Sequence, residues 1–142
     1  MATYNKFNQF VGDLANGKYN LASDSLKVML TNTLPVATNA VYADVSGTEL
    51  ANGNGYTTGG AAVTTTSDTD TAGTVKAILQ PVVFTATGAM GPFRYAILYD
   101  TTPSSPLKPL ISWFDYGSSV TLASGETFTV GFDTTNGAFT IA

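Results

Sequence analysis

Apolar and polar residues alternate along most of the chain, which is the period of half-buried β-strands. The alternation is clearest in "SLKVMLTN", where Leu26, Val28 and Leu30 share one face, and in "ETFTVGF". Comparable runs are "AVYADV", "AAVTTTSDT", "TVKAILQPVVFTAT", "GPFRYAILYDTT", "LISWFDYG", a short run through Val120 and Leu122, and "AFTIA". Their regular spacing predicts about eight strands in an all-β fold, mainly an antiparallel β-sandwich or barrel.

The N-terminal segment has a different period. From Tyr4 to Ala15 the apolar residues recur at spacings of three and four, and Asn16-Gly17 follows as a stop signal. These apolar residues are Phe7, Phe10, Val11 and Leu14. The pattern predicts one short amphipathic helix, in an N-terminal arm or helix covering about residues 3–17. It either closes one end of the core or packs on a neighbouring subunit.

Turn-forming residues separate the predicted strands within a single domain, residues 1–142. The segment Ser46 to Gly60, "SGTELANGNGYTTGG", contains Asn-Gly twice and predicts a long ordered loop anchored by Leu50 and Tyr56. Pro81 predicts a bulge or a sheet edge, because proline cannot donate to a strand ladder. The segment "DTTNG", residues 133–137, is a candidate hairpin turn that returns the chain into "AFTIA".

Charged residues make up only 11% of the chain, and the net charge is -4. Such a surface suits either an assembly subunit or an ordinary low-charge domain. The six basic residues are scattered, so we expect no nucleic-acid partner. We also expect no membrane partner and no export signal, because the chain has no long apolar run and "MATYNKFNQF" lacks the basic and apolar regions of a signal peptide.

The chain contains no histidine and no cysteine, which excludes Ser-His-Asp and Cys-His catalysis and zinc-thiolate sites. Paired carboxylates leave a glycosidase open, but Glu49, Glu126 and the aspartates form no telling motif. The segment "SDTDTAG" opens like a calcium loop, yet Ala72 and Leu79 stand where oxygen ligands are needed. We therefore predict a solvated turn in this segment. For the protein as a whole, we predict that it is not an enzyme and has no metal or cofactor.

The aromatic segment "SWFDYG" raises the question of a sugar-binding platform. It places Trp113, Phe114 and Tyr116 beside Asp115, and in a regular strand Trp113 and Asp115 share one face. Packing of one face against the core is the interpretation that we favour.

Arg94, the only arginine, lies in the apolar run "GPFRYAILYD". Alternation places Phe93 and Tyr95 on one face of the strand and Arg94 and Asp100 on the other, with apolar residues on both faces. A buried guanidinium needs an acidic or carbonyl partner, and Asp100 and Asp115 are the candidates. We predict a structural or intersubunit ion pair rather than a ligand site.

Several phrases in order carry a family resemblance. They are "YNKFNQFVGDLANGKYNLASDSLKVMLTNTLPVATNAVYADV", "ANGNGYTTGG", "GPFRYAILYD" and "KPLISWFDYGSSVTLASGETFTVGFDTTNG". With them the chain resembles, over nearly its whole length, the head decoration proteins of tailed bacteriophages, also called cement or capsid-stabilising proteins.

The resemblance implies a structural virion protein, made in the cytoplasm of the host bacterium, that binds the outer surface of the capsid. Its partner would be the major capsid protein, and it would stabilise the expanded head by bridging capsomers, as a homo-oligomer and in particular a trimer. The alternative is a tail or fibre-associated virion protein, including a receptor- or carbohydrate-binding module. The candidates for capsid or subunit contact are Tyr4, Phe7, Phe10, Gly53, Asn54, Gly55 and Tyr56.

Overall fold

Eleven strands and one helix form the protein in the computed structural model, which describes residues 2–142. The strands are β1 (Thr3–Lys6), β2 (Leu26–Thr31), β3 (Ala61–Val63), β4 (Thr65–Ser67), β5 (Asp70–Thr71), β6 (Thr74–Leu79), β7 (Val82–Thr85), β8 (Met90–Asp100), β9 (Leu110–Leu122), β10 (Thr127–Val130) and β11 (Phe139–Ile141). The helix α1 is Asn8–Ala15, and two 3₁₀ turns cover Tyr42–Asp44 and Ser46–Thr48. The predicted all-β class with one short N-terminal helix is confirmed.

A five-stranded antiparallel sheet, in the order β1-β9-β8-β2-β3, is the framework of the molecule. The remaining strands form an open sheet β11-β6-β4, with β5 paired to β6, and a two-stranded sheet β10-β7. All strand pairings are antiparallel, and none of the sheets closes on itself. Of the two predicted architectures, the molecule is therefore a sandwich and not a closed barrel.

The main core lies between one face of the five-stranded sheet and the smaller sheets. Leu26, Val28 and Leu30 of β2 point into it, as the alternation predicted, and meet Leu79 of β6 and Phe84 of β7. Phe10 of helix α1 closes this core at one end, which is one of the two roles predicted for the helix.

A second, smaller core covers the opposite face of the same sheet. It contains Met29, Ile97 and Trp113 from the sheet, and it is closed by Phe7 and by Val45 from the long loop of residues 32–60. From Tyr95 to Asp100 both faces of β8 are therefore buried, as this apolar run predicted.

The helix prediction is wrong for its first turn. Thr3–Lys6 is extended and pairs with β9, with Tyr4 opposite Phe114 and Lys6 opposite Ser112, and the helix begins only at Asn8. The edge of β9 offers unpaired N–H and C=O groups, and satisfying them outweighs the local helical period.

Two further local predictions are wrong in their pairing. In "AVYADV", Val41 makes a single bridge with Pro109, and the chain then turns because the Asp44 carboxylate accepts hydrogen bonds from Ala40 N (2.8 Å) and Val41 N (3.1 Å). Residues 133–137 do form a turn, but β11 pairs with β6 instead of forming a hairpin with β10. Phe139 is thereby buried in the main core.

At Pro81, where a bulge or a sheet edge was predicted, the chain instead leaves one sheet for another, since β6 ends at Leu79 and β7 begins at Val82. The short run through Val120 and Leu122 is not a separate strand but the continuation of β9.

Candidate functional site

Arg94 forms a two-pronged ion pair with Asp115 on the neighbouring strand β9. Its Nε lies 2.8 Å from Asp115 Oδ1, and its Nη2 lies 2.9 Å from Oδ2. Asp115 Oδ1 also accepts a hydrogen bond from Gly117 N at 2.8 Å, and the Arg94 guanidinium holds the pKa of Asp115 below its usual range. Of the two predicted partners, the structure brings Asp115 to Arg94.

The prediction that Arg94 is buried is wrong, because β9 carries extra residues opposite it. Phe93 pairs with Val120 and Tyr95 with Asp115, so Arg94 faces the four residues 116–119. This irregularity shifts the phase of β8: Phe93 lies in the main core, although Tyr95 two residues later lies in the second core. The side chain of Arg94 is therefore 36% exposed at the surface.

A cleft of about 220 Å³ opens beside this ion pair. We call it the aromatic cleft, and its lining includes Phe93, Arg94, Phe114, Tyr116, Phe128 and Thr129. Tyr116 packs edge-on against Phe128, with ring centroids 5.3 Å apart, and Phe128 packs edge-on against Phe93 at 4.8 Å. The Tyr116 side chain is 53% exposed, so this aromatic stack reaches from the core to solvent.

Trp113 takes no part in the cleft. It is buried in the second core, where its ring centroid lies 4.6 Å from that of Phe7. The favoured core-packing interpretation of "SWFDYG" is confirmed for Trp113, whereas Tyr116 is turned outward by the irregular stretch of β9.

The predicted capsid or subunit contacts divide into two groups. Phe7, Phe10 and Tyr56 are buried in the chain's own cores and are wrong as surface contacts, because each anchors a segment that would otherwise leave the sheets uncovered. The exposed group consists of Tyr4, Gly53, Asn54 and Gly55.

Glu49 holds the long loop of residues 32–60 together. Its Oε1 accepts hydrogen bonds from Tyr56 OH (2.6 Å) and Gly59 N (2.6 Å), and its Oε2 accepts one from Tyr42 OH. Burial, followed by the hydrogen bond to Glu49, raises the pKa of Tyr42 and of Tyr56 far above the usual range, so both hydroxyls remain donors. The sequence signalled this cluster only by placing Tyr42 and Tyr56 seven residues on either side of Glu49.

Asp100 was predicted as a partner of Arg94, and this is wrong. It lies six residues along an extended strand, a separation of about 20 Å, and its side chain is completely buried. Thr102 N donates to its Oδ1 at 2.9 Å, but Oδ2 has no hydrogen-bond partner among residues 2–142. Burial, then the nearby Asp24 carboxyl group, raises the pKa of Asp100 to about 7.

Replacing Asp100 with asparagine is expected to stabilise the protein at pH 8 but not at pH 4. The folded-state pKa of about 7 lies above the ordinary value of 3.8, so this group contributes stability below about pH 4 that is lost as the pH rises to about 7. The amide stays neutral throughout and can keep the hydrogen bond from Thr102 N. Thermal unfolding followed by circular dichroism should show a rise in Tm of about 4 °C at pH 8, equivalent to about 1 kcal/mol.

The control for this substitution is Asp68→Asn, which changes the net charge equally at an exposed position. It should leave the Tm unchanged at both pH values. An Asp100→Asn protein whose Tm falls at pH 8 would contradict the prediction.

The segment "SDTDTAG", which opens like a calcium loop, lies at the surface. Asp70 is exposed and its Oδ1 accepts a hydrogen bond from Gly73 N at 3.0 Å. Within residues 2–142 no three His, Cys, Asp or Glu side chains come together as metal ligands. In the same part of the chain, no helix has the length and apolar character needed to cross a membrane.

No family model, curated protein or solved structure matches this chain.

Proposed function

We propose that this chain is a structural virion protein that binds the outer surface of a tailed-phage capsid and stabilises the expanded head by bridging capsomers. The observation that carries the proposal is the resemblance of successive phrases along nearly the whole sequence to phage head decoration proteins. The all-β framework is the kind of subunit that this resemblance implies.

An exposed apolar tip in the loop of residues 32–60 supports the proposal with a contact surface that sequence reasoning missed. Leu34 and Val36 are 60% and 53% exposed and flank Pro35. The tip is ordered by a tight turn, in which Val36 N donates to Asn39 Oδ1 (3.0 Å) and Asn39 N donates to Val36 O (2.9 Å). A preformed apolar tip binds without a large cost in ordering, so we assign it to contact with the major capsid protein.

Stabilisation of the head then follows from mass action. A protein that binds the expanded shell, and not its precursor, shifts the equilibrium toward the expanded form. If three copies act as a trimer, their linked contacts increase the overall affinity.

Co-sedimentation with expanded heads that lack this protein tests the proposal. We expect saturable binding to expanded heads, weak binding to immature proheads, and a higher temperature of genome release from the decorated heads. Absence of binding to heads would overturn it.

The double variant Leu34→Ser/Val36→Ser should weaken head binding at least tenfold, because two apolar side chains no longer leave water on binding. Val83→Ser is the matched control, since Val83 is 56% exposed on a different element, β7. Equal binding by the double variant and the control would exclude the tip as the contact.

A tail or fibre-associated virion protein with a receptor- or carbohydrate-binding role is the second candidate. The exposure of Tyr116 beside Arg94 favours it, because an exposed aromatic ring is the feature that such a module needs. Retention on purified tails, without binding to heads, would be the result that this alternative expects.

A further inference from the structure

We propose that the aromatic cleft binds one ring of a neutral sugar, a function that does not depend on where in a virion the chain sits. The site consists of the aromatic stack formed by Tyr116, Phe128 and Phe93, and of the Arg94–Asp115 ion pair beside it.

The size of the cleft limits the ligand to a small one. Its volume of about 220 Å³ is below the roughly 300 Å³ at which pockets for drug-sized molecules begin. A single six-membered ring of a longer glycan suits this space, with the neighbouring sugars extending into solvent.

The aromatic stack gives one half of the recognition. An aromatic ring carries negative charge on its face, and the C–H groups on one side of a pyranose are weakly positive, so the two surfaces attract each other. Tyr116 is exposed, yet its packing against Phe128, and of Phe128 against Phe93, anchors it to the core. A ring held in this way loses little freedom when a ligand binds.

The ion pair gives the other half. A guanidinium has five N–H donors, of which Asp115 takes two, and three are left for a ligand. The Asp115 carboxylate has about four acceptor positions, of which Arg94 and Gly117 N fill three. The pair therefore presents donors together with an acceptor, and a sugar hydroxyl can serve as partner to both.

The charge balance at the site argues against other small ligands. An anion on the free donors of Arg94 would lie close to the Asp115 carboxylate and be repelled by it, and the two opposite charges of the pair already cancel locally. A purely aliphatic molecule would displace water from the donors of Arg94 without replacing its hydrogen bonds. A neutral ring with hydroxyl groups avoids both costs.

Nuclear magnetic resonance of the ¹⁵N-labelled protein can test this inference with four probes: methyl β-D-glucopyranoside, methyl β-D-galactopyranoside, methyl α-D-mannopyranoside and N-acetylglucosamine. At least one of them should produce saturable shifts at the amides of Tyr116 and Thr129 and at the Arg94 Nε–H. Benzoate, an aromatic anion of similar size, should produce none.

Two variants separate a binding site from a structural feature. Tyr116→Ala should weaken binding at least fivefold with an unchanged spectrum elsewhere, whereas Leu107→Ala, at a 62% exposed apolar residue away from the cleft, should bind as the parent does. Arg94→Lys should also weaken binding, because an ammonium group cannot keep the two-pronged pair and donate to the sugar as well.

Three results would overturn the inference: no probe sugar shifts the cleft signals, Tyr116→Ala binds sugar as well as the parent protein does, or benzoate binds in preference to every sugar. Head binding measured on the Tyr116→Ala protein keeps the two proposals apart. It should equal that of the parent protein, whatever the outcome of the sugar titrations.

Discussion

Replacing Glu49 with alanine is expected to lower the free energy of unfolding by about 3 kcal/mol. The substitution removes the acceptor of three hydrogen bonds, from Tyr42 OH, Tyr56 OH and Gly59 N. A hydrogen bond contributes about 1 kcal/mol net, so three lost bonds account for the expected loss, and the donors left behind include the hydroxyl of the buried Tyr56. Urea unfolding followed by circular dichroism would measure the loss.

Glu126→Ala is the matched control for this experiment, because Glu126 is the other glutamate of the chain and is exposed. Its carboxylate accepts one hydrogen bond, from Ala123 N at 2.7 Å, so the expected loss is below about 1 kcal/mol. Similar losses in the two variants would show that Glu49 does not hold the loop of residues 32–60 in place.

Replacing Gly60 with alanine is expected to destabilise the fold by about 2 to 5 kcal/mol. Gly60 has a positive φ of +77°, and a Cβ there would meet the carbonyl oxygen of Val28 and lie 2.5 Å from its carbonyl carbon and 2.8 Å from Met29 Cα. Val28 cannot move away easily, since it pairs with Ala61 on one side and Leu98 on the other. The estimate adds a left-handed backbone, at about 1 to 2 kcal/mol, to an overpacking cost of about 1 to 3 kcal/mol.

Gly17→Ala separates these two costs. Gly17 has a similar φ of +69°, and among the described residues no atom lies within 4 Å of the position of an added Cβ. Only the backbone cost remains, so thermal unfolding should show a loss of about 1 to 2 kcal/mol. If Gly60→Ala lowered the free energy of unfolding no more than Gly17→Ala does, the close approach of Gly60 to β2 would contribute nothing to the effect.

The sequence predicted those parts of the fold that depend on local alternation. Strands β2 and β8 follow from it, because each carries apolar side chains at regular positions and is covered by protein. The errors concern choices between distant partners. Nothing near Tyr4 indicates that β9 has a free edge, and nothing in residues 133–137 indicates that β11 pairs with β6.

The candidate site was predicted only in part, because some of its contacts also join distant segments of the chain. A lone arginine in a strand needs an acid, and the chain has few, so Asp115 could be named as a partner of Arg94. The exposure of Arg94 could not be predicted. Alternation assumes that each residue of a strand pairs with one residue of the next strand, whereas four residues of β9 face Arg94. The Glu49 cluster and the burial of Asp100 likewise arise only when separate segments pack together.

The pairing of β1 with β9 also sets the order in which the molecule can be completed during synthesis. Thr3 lies opposite Asp115, so β1 has no partner until about a hundred further residues have been translated. Such distant pairings slow folding, because a long loop must close before the contacts form. Until then β1 and the apolar face of α1 are open to association with other chains.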